Sequence, residues 1–327
     1  MDRARKYRFG ICGGNLMLKK MIRAAREPKR IINHMAYKGF FDKLSDEKYI
    51  KLMFTTKLGY YPNLKQPSTY NEKIQWLKLN DRKEEYINLV DKYEVREYIK
   101  NLIGEEYLIP LIGVWESVDE IPFDKLPKQF VLKGTHNSGG VIVCSDKERL
   151  DIEKTKQSLY KTLKRNYYYQ GREWPYKFIK PRIICEKYMG ESDGRVPEDY
   201  KIICFNGEPQ NIMVCTGRET GNVKYYFFDF DWNFLPYNRV DVNTPKDFTL
   251  PKPKNLEKMK ELAEILSKPY DLSRIDLYEI EGKIYFGEVT LYPASGIDID
   301  ITKEIDKQWG SKINLKELGT YNENVKL

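Results

Sequence analysis

The stretch from Arg274 to Gly296 constrains this chain more than any other. Two runs rich in Ile, Tyr, Phe and Val flank Glu281-Gly282, which signals a β-hairpin with a tight turn. Asp276 and Glu288 lie inside these otherwise apolar runs. A carboxylate in a strand core is costly unless it is paired or holds a cation. With Arg274 and Thr290 close by, the pattern reads either as a metal site on a rigid sheet or as a half-exposed hairpin with solvated acids. Register separates the two. A two-residue turn at Glu281-Gly282 pairs Asp276 with Gly287 and sends Glu288 to the other face. A shared ion therefore requires a loop of odd length, such as Glu281-Gly282-Lys283, or a bulge.

Length and charge narrow the class. A chain of 327 residues exceeds one small core, so two or three lobes are expected. No apolar run approaches the ~20 residues that cross a bilayer. The short apolar patch near the N-terminus is broken by Gly10, Gly13 and Gly14, a poor signal peptide. The five cysteines share no Cys-x-x-Cys spacing, which argues against zinc and for buried reduced thiols in a cytoplasmic protein. With only His34 and His136, histidine chemistry has little material.

The net charge of +8 is concentrated at one end. The first 38 residues hold eleven Lys and Arg against Asp2 and Glu27, leaving 45 basic and 46 acidic groups in the rest. A neutral body argues against a nucleic-acid protein with a basic groove. The basic arm, with Leu16, Met17, Ile22, Ile31, Ile32 and Met35 between its cations, reads either as amphipathic helices on an anionic membrane or as a solvated lead-in.

Residues 39–110 read as helical, with Ser45 as a helix cap, a helix over about Asn71–Leu79, and another from about Ile87 to Leu102 carrying Asp91-Lys92 near its start. Strands follow: Gln129–Lys133, Val141–Cys144, Ile183–Tyr188, Tyr200–Phe205 turning at Asn206-Gly207 into Ile212–Thr216, and Tyr225–Phe230. A helix is expected over about Leu256–Leu266, before the hairpin. Many antiparallel strands with helices grouped outside them define an α+β class.

Several segments bear chemistry. Between two strands, Lys133-Gly-Thr-His-Asn-Ser-Gly139-Gly140 reads as a phosphate loop or as a simple tight turn; glycines let backbone N–H groups approach a phosphate. No Gly-Lys-Ser/Thr follows, so it is not a Walker A loop. Glu186-Lys187-Tyr188 at a strand end is either a surface exit or a hinge for a base edge. Lys201 is either solvated or aimed into a cleft. Asp229-Phe-Asp231-Trp232 matches the Asp-x-Asp of metal-dependent glycosyltransferases, since alternation puts both carboxylates on one strand face; an ordinary strand end is the other reading. Asp298-Ile-Asp300 lines an acceptor side or is a solvated edge.

Taken in order, Asp91-Lys92, Lys133 before a Gly loop, Glu186-Lys187-Tyr188, Lys201, then Arg-x-Asp and a Glu-x-Thr twelve residues later resemble the ATP-grasp superfamily over residues 85–300. The stretches Leu-Lys-Gly-Thr-His-Asn-Ser-Gly-Gly, Asp-Tyr-Lys-Ile-Ile-Cys-Phe-Asn-Gly, Phe-Asp-Phe-Asp-Trp, Arg-Ile-Asp-Leu-Tyr and Glu-Val-Thr-Leu-Tyr-Pro-Ala-Ser-Gly look most like the TupA-like ATP-grasp proteins of teichuronopeptide and other surface-polysaccharide biosynthesis.

The resemblance implies an ATP-grasp fold, two α+β lobes clasping ATP with a helical N-terminal lobe. The implied division is a basic arm at 1–38, a helical lobe at 39–120, a subdomain with the Gly-rich flap at 121–190, a subdomain with the metal hairpin at 191–315, and a tail at 316–327. Lys92 and Lys133 would contact ATP phosphates under a flap of Gly139 and Gly140. Glu186, Lys187 and Tyr188 would form the adenine hinge, and Lys201 would point towards the nucleotide. Asp276, Glu288 and Thr290 would hold Mg²⁺, with Thr290 standing where many superfamily members carry Asn. Arg274 would stabilise the transferring phosphoryl group. The implied activity is ATP-dependent carboxylate–amine ligation through an acylphosphate, on a uronic-acid-containing or lipid-linked glycan. A cytoplasmic protein is expected, peripheral at the inner membrane face if the arm binds there. The rivals are a glycosyltransferase using Asp229 and Asp231, and a non-catalytic nucleotide-binding module.

Overall fold

A computed structural model describes residues 28–190, 197–217, 221–245 and 247–315. Most of the basic arm and all of the C-terminal tail lie outside the described residues, and so do the expectations placed on them. Among the described residues no helix is long and apolar enough to cross a membrane. The chain divides into a compact unit ending at Tyr61 and another starting at Pro62.

The first unit contains α1 (Pro28–Tyr37) and α2 (Asp46–Leu58). Ser45 occupies the cap position of α2, but its hydroxyl makes no capping bond. The helix start rests instead on Asp46 and Glu47, whose charges suit the N-terminal end of the helix dipole. Tyr49, Ile50, Met53 and Phe54 form its buried stripe.

The second unit opens with α3 (Tyr70–Asn80), held by a full capping box in which the Thr69 hydroxyl accepts the Glu72 N–H and the Glu72 carboxylate accepts the Thr69 N–H. The single helix expected over 87–102 is two, α4 (Glu85–Val90) and α5 (Val95–Leu102). Asp91 causes the break. Its carboxylate accepts the N–H groups of Tyr93 and Glu94 at 2.8 and 3.3 Å, while the Lys92 N–H goes to the Thr135 carbonyl at 3.1 Å. Those donors are therefore lost to the helical ladder.

Two antiparallel sheets follow. The smaller has the order β1 (Leu111–Trp115), β4 (Ile183–Lys187), β2 (Phe130–Gly134), β3 (Ile142–Cys144). Its core joins Phe130, Leu132, Ile183 and Cys185 to Leu159 of α6 (Ile152–Lys164). The larger has the order β10 (Lys283–Thr290), β9 (Leu272–Ile280), β5 (Asp199–Phe205), β6 (Glu208–Thr216), β7 (Lys224–Phe228), β8 (Phe234–Leu235). Its two principal hairpins turn at Asn206-Gly207 and Glu281-Gly282, with φ of 53°, 82°, 51° and 75°. Positive φ at both turn residues is the geometry whose twist matches paired strands.

Alternation sorts the larger sheet into two faces. Ile202, Cys204, Val214, Ile275 and Leu277 belong to one core with Met259, Leu262, Ala263 and Leu266 of α7 (Leu256–Ser267). Near β5–β7, the rings of Phe205 and Phe227 meet Trp309 of α8 (Lys303–Lys312) at 5.9 and 5.6 Å, and Tyr70 of α3 meets Trp309 at 5.0 Å. Helices α3, α4 and α5 share the apolar core of this larger sheet. The four described cysteines are buried and free.

Candidate active site

The functional side chains are set out by strand pairing. Lys201 of β5 pairs with Asp276 of β9, and Asp276 pairs with Glu288 of β10. This gives one lateral row, Lys201–Asp276–Glu288. The next row is Ile203–Arg274–Thr290. Asp199, two residues before Lys201, falls on the same face beside Tyr278.

The row exists because β10 is irregular. The turn is the two-residue one, since Lys283 pairs with Ile280, and regular pairing would bring Gly287 opposite Asp276. Instead the register shifts between Phe286 and Glu288, so Gly287 is an extra residue and Glu288 takes its place. A Cβ on Gly287 would stand 2.9 Å from the Asp276 carbonyl oxygen and 3.0 Å from the Tyr278 ring. Only glycine fits without displacing the neighbouring strand.

Charge is dense on this face. The Arg274 guanidinium donates to Asp276 at 2.6 and 2.8 Å, to Glu288 at 3.1 Å and to the Thr290 hydroxyl at 3.0 Å; Thr290 in turn donates to Glu288 at 3.2 Å. Lys201 bonds Asp276 and also Asp199, the latter at 2.7 Å. Burial alone would depress the Lys201 ammonium, but Asp276 and Asp199 outweigh it and hold its pKa above the usual range. Burial alone would raise Glu288, yet Lys92, Arg274 and Lys201 pull it down to about 2. Glu288 is therefore an anion at any working pH, with 40% of its side chain open to the cleft.

The smaller sheet and its loop supply the opposite wall. Lys133 of β2 pairs with Glu186 of β4 at 2.7 Å, and Arg96 of α5 reaches the same carboxylate at 3.3 Å. The Lys92 ammonium donates to the Asn137 carbonyl, inside the Gly-rich loop. Burial lowers the Lys92 pKa, and Lys133 nearby adds to that; Glu288, Asp91 and Glu186 oppose it. Arg182 braces Lys92 from behind, donating to Asp91 at 2.8 Å and Glu94 at 2.7 Å while its carbonyl accepts the Thr135 N–H.

Lys92, Lys133, Gly139, Lys201, Arg274, Asp276 and Glu288 line one cleft of about 490 Å³. Thr290 reaches it only through its bonds to Glu288 and Arg274. Gly140 adjoins Gly139, both at positive φ. Glu186 reaches the cleft through Lys133, whereas Lys187 and Tyr188 do not line it; Lys187 is exposed and its N–H is taken by the Pro110 carbonyl. The acids Asp229 and Asp231 also lie away from it. β7 ends at Phe228, so strand alternation does not govern them, and the Asp229 carboxylate caps its own turn through Asn233 at 2.7 and 2.9 Å.

The neighbours of these side chains differ in how far the sequence signals them. Asp199 was legible, since alternation places it beside Lys201. The pair Asp91–Arg182 spans 91 positions and has no local signature. Neither has Glu173, which is 5% exposed. Burial raises its carboxyl to about 7, against the pull of Lys78 and a bond from Ser295. Lys78 fixes the loop after β10 by donating to the carbonyls of Gly171 and Ser295 at 2.7 and 2.9 Å.

The donor set Asp276, Glu288 and Thr290 is all oxygen, which suits a hard divalent cation. It comprises two carboxylates and a hydroxyl, and no cluster of three or more His, Cys, Asp or Glu converges among the described residues.

Solved structures that match include a D-alanine–D-alanine ligase from Bacillus anthracis, at 17% identity over 62% of this chain and 57% of that one, TM-score 0.36. D-alanyl-alanine synthetase A from Vibrio cholerae O1 biovar eltor matches at 15% identity over 69% and 61%, TM-score 0.41. The Helicobacter pylori D-alanine–D-alanine ligase matches at 14% identity over 75% and 69%, TM-score 0.38. This chain thus spans roughly three fifths of the length of the first two. Among curated proteins none matches. A family profile described as TupA-like ATPgrasp matches residues 72–314, well over half of the chain and all of the strands just described. This chain belongs to the TupA-like ATP-grasp family.

Proposed function

We propose that this chain is an ATP-dependent carboxylate–amine ligase, forming an amide through an acylphosphate in the synthesis of a cell-surface polysaccharide or its precursor. The observation that carries this reading is the bulge at Gly287, which sets Glu288 across from Asp276 and around Arg274 in a cleft that also holds Lys92, Lys133 and Lys201. A patch where anionic oxygens face four cations suits polyphosphate chemistry.

The chemistry has two displacements. A carboxylate oxygen attacks the γ-phosphorus of ATP, the bond to the bridging β–γ oxygen breaks, and ADP leaves. The amine nitrogen then attacks the acyl carbon, the C–O bond to phosphate breaks, and phosphate departs as the nitrogen gives up its proton. Lys92, Lys133 and Lys201 would neutralise the phosphate oxygens, and Arg274 would hold the charge of the transferring group. Asp276, Glu288 and Thr290 would hold Mg²⁺, which as a Lewis acid adds charge neutralisation there. No protein nucleophile is needed, and among the described residues the cysteines are buried and do not line the cleft.

The polysaccharide assignment rests on the family resemblance. The basic arm at 1–38 would bring the enzyme to an anionic inner membrane face, where a lipid-linked glycan is available; removing residues 1–38 should abolish binding to anionic liposomes. The ligase reading is tested by ADP release across a panel of carboxylate–amine pairs. Release that requires a carboxylate, disappears in Glu288→Gln and survives in Asp231→Asn supports it. Release indifferent to any carboxylate overturns it, as would sugar-nucleotide turnover lost in Asp231→Asn.

A further inference from the structure

The cleft is electrically lopsided. At one end Asp199, Asp276 and Glu288 each have a Lys or Arg partner. At the other end stand Asp298 and Asp300, and neither has a cationic partner among the described residues. Asp298 belongs to a built turn rather than a loose edge. Its Oδ1 accepts the N–H groups of Asp300 and Ile301 at 2.9 and 3.4 Å, and its own N–H donates to Asn71 of α3 at 2.7 Å. That leaves Oδ2 without a donor among the described residues. Burial raises the Asp298 carboxyl, and Asp300 and Asp306 add to this. It is a carboxylate short of a positive charge.

A second observation is independent of the acids. Tyr70 is 1% exposed, yet it lines this end of the cleft, and its hydroxyl has no hydrogen-bond partner among the described residues. Burial dominates the raised pKa of its phenol; the charge of Asp298 adds to the rise and that of Arg274 opposes it. The ring is enclosed and the hydroxyl opens onto the cleft, where a ligand can take its hydrogen bond. Trp309, 2% exposed and packed edge-on against Tyr70 at 5.0 Å, fixes the Tyr70 ring at the floor of the cleft.

We infer that the Asp298–Asp300 end is the acceptor subsite, and that it takes a primary amine arriving as an ammonium ion on a group with no carboxylate of its own. Calling this ligand the acceptor rests on the ligase reading; the subsite itself does not. Two sources share that chemistry, an amino sugar and a lysine-like alkylamine. An amino acid or other zwitterion is disfavoured, because its carboxylate would face Asp298 and Asp300, while the nearby Arg239 guanidinium is already engaged with the Ile301 carbonyl at 3.1 Å.

The test is calorimetric binding to the full chain with MgCl₂ and a non-hydrolysable ATP analogue. The probes are cadaverine, D-glucosamine and 6-aminohexanoate, which differ in framework and in the added carboxylate. Cadaverine or glucosamine should bind at least tenfold more tightly than 6-aminohexanoate, and whichever of the two binds better names the source. Asp298→Asn keeps an oxygen for the turn and removes the charge; it should weaken the preferred amine at least tenfold while leaving binding of the ATP analogue unchanged. Asp300→Asn, at an exposed position, should weaken it about threefold, and serves if the first variant fails to fold. Amine binding that is indifferent to both substitutions, or 6-aminohexanoate binding as well as cadaverine, overturns the subsite. Amine binding that depends on Asp298 in a chain that never releases ADP would instead refute the ligase reading and leave the subsite standing.

Discussion

Replacing Gly287 by alanine tests the geometry from which the site is built. The added Cβ would meet the Asp276 carbonyl oxygen at 2.9 Å and the Tyr278 ring at 3.0 Å. The first of these is backbone in the central part of a paired sheet and cannot swing away, so β9 and β10 must separate or the bulge must re-form elsewhere. Overpacking of this kind costs ~1–3 kcal/mol. In a unit of this size 1 kcal/mol corresponds to roughly 2–4 °C in melting temperature, so thermal unfolding should show a loss of about 2–12 °C. The functional loss should exceed the loss in stability, because Glu288 meets Arg274 at 3.1 Å and a shift of a few tenths of an ångström breaks that contact. Deleting Gly287 is the companion variant. Removing the extra residue restores regular pairing and still leaves Glu288 opposite Asp276, so ATP turnover should survive deletion better than substitution. Equal stability and equal turnover in Gly287→Ala would refute the reasoning, and so would a deletion that is the more damaging of the two.

Three further outcomes are expected. Glu173 has a carboxyl raised from 4.5 to about 7 in the folded chain, so between those values the unfolded state releases a proton that the folded state keeps. Stability should then fall as pH rises from about 4.5 through 7, by up to ~3 kcal/mol, and Glu173→Gln should abolish the fall in pH-resolved denaturant titrations; parallel curves would contradict this. Arg182→Ala removes the brace at Asp91 and Glu94 and should raise the KM for ATP several-fold through Lys92, with a smaller effect on kcat; an unchanged KM would show that Lys92 needs no brace. Asp229→Ala removes a turn cap and should cost ~1 kcal/mol of stability with no loss of turnover, whereas loss of turnover without destabilisation would return Asp229 to the chemistry.

What was legible in the sequence follows from how local each signal is. Asn206-Gly207 and Glu281-Gly282 announce their hairpins because two adjacent residues carry the whole turn. The requirement for either a loop of odd length or a bulge is also local, since it follows from the two-residue period of a strand and the positions of Asp276 and Glu288. Which residue bulges is not, because the clash at Gly287 is with the backbone of the neighbouring strand. The break at Asp91 was missed for a related reason. The helical spacing of apolar residues continues through 87–102, and the competing partners of Lys92 and Asp91 lie at Thr135 and Arg182, some 40 and 90 residues away. Asp229 and Asp231 lie beyond Phe228, where the strand ends, so the alternation visible in the sequence does not set the face they take. Buried polar contacts over long separations, such as Lys78 with Ser295 and Asn71 with Asp298 and Asp306, carry no periodic signature and emerge only with the fold.

The most direct test of the acylphosphate is the fate of the carboxylate oxygen. The carboxylate that drives ADP release would be labelled with ¹⁸O, and the phosphate released after amide formation analysed by mass spectrometry. Attack of that carboxylate on the γ-phosphorus, in the patch formed by Glu288, Asp276 and Arg274, predicts one ¹⁸O in each phosphate released, and no label-bearing phosphate from Glu288→Gln. Phosphate free of label alongside amide product would contradict the acylphosphate and the role assigned to this hairpin.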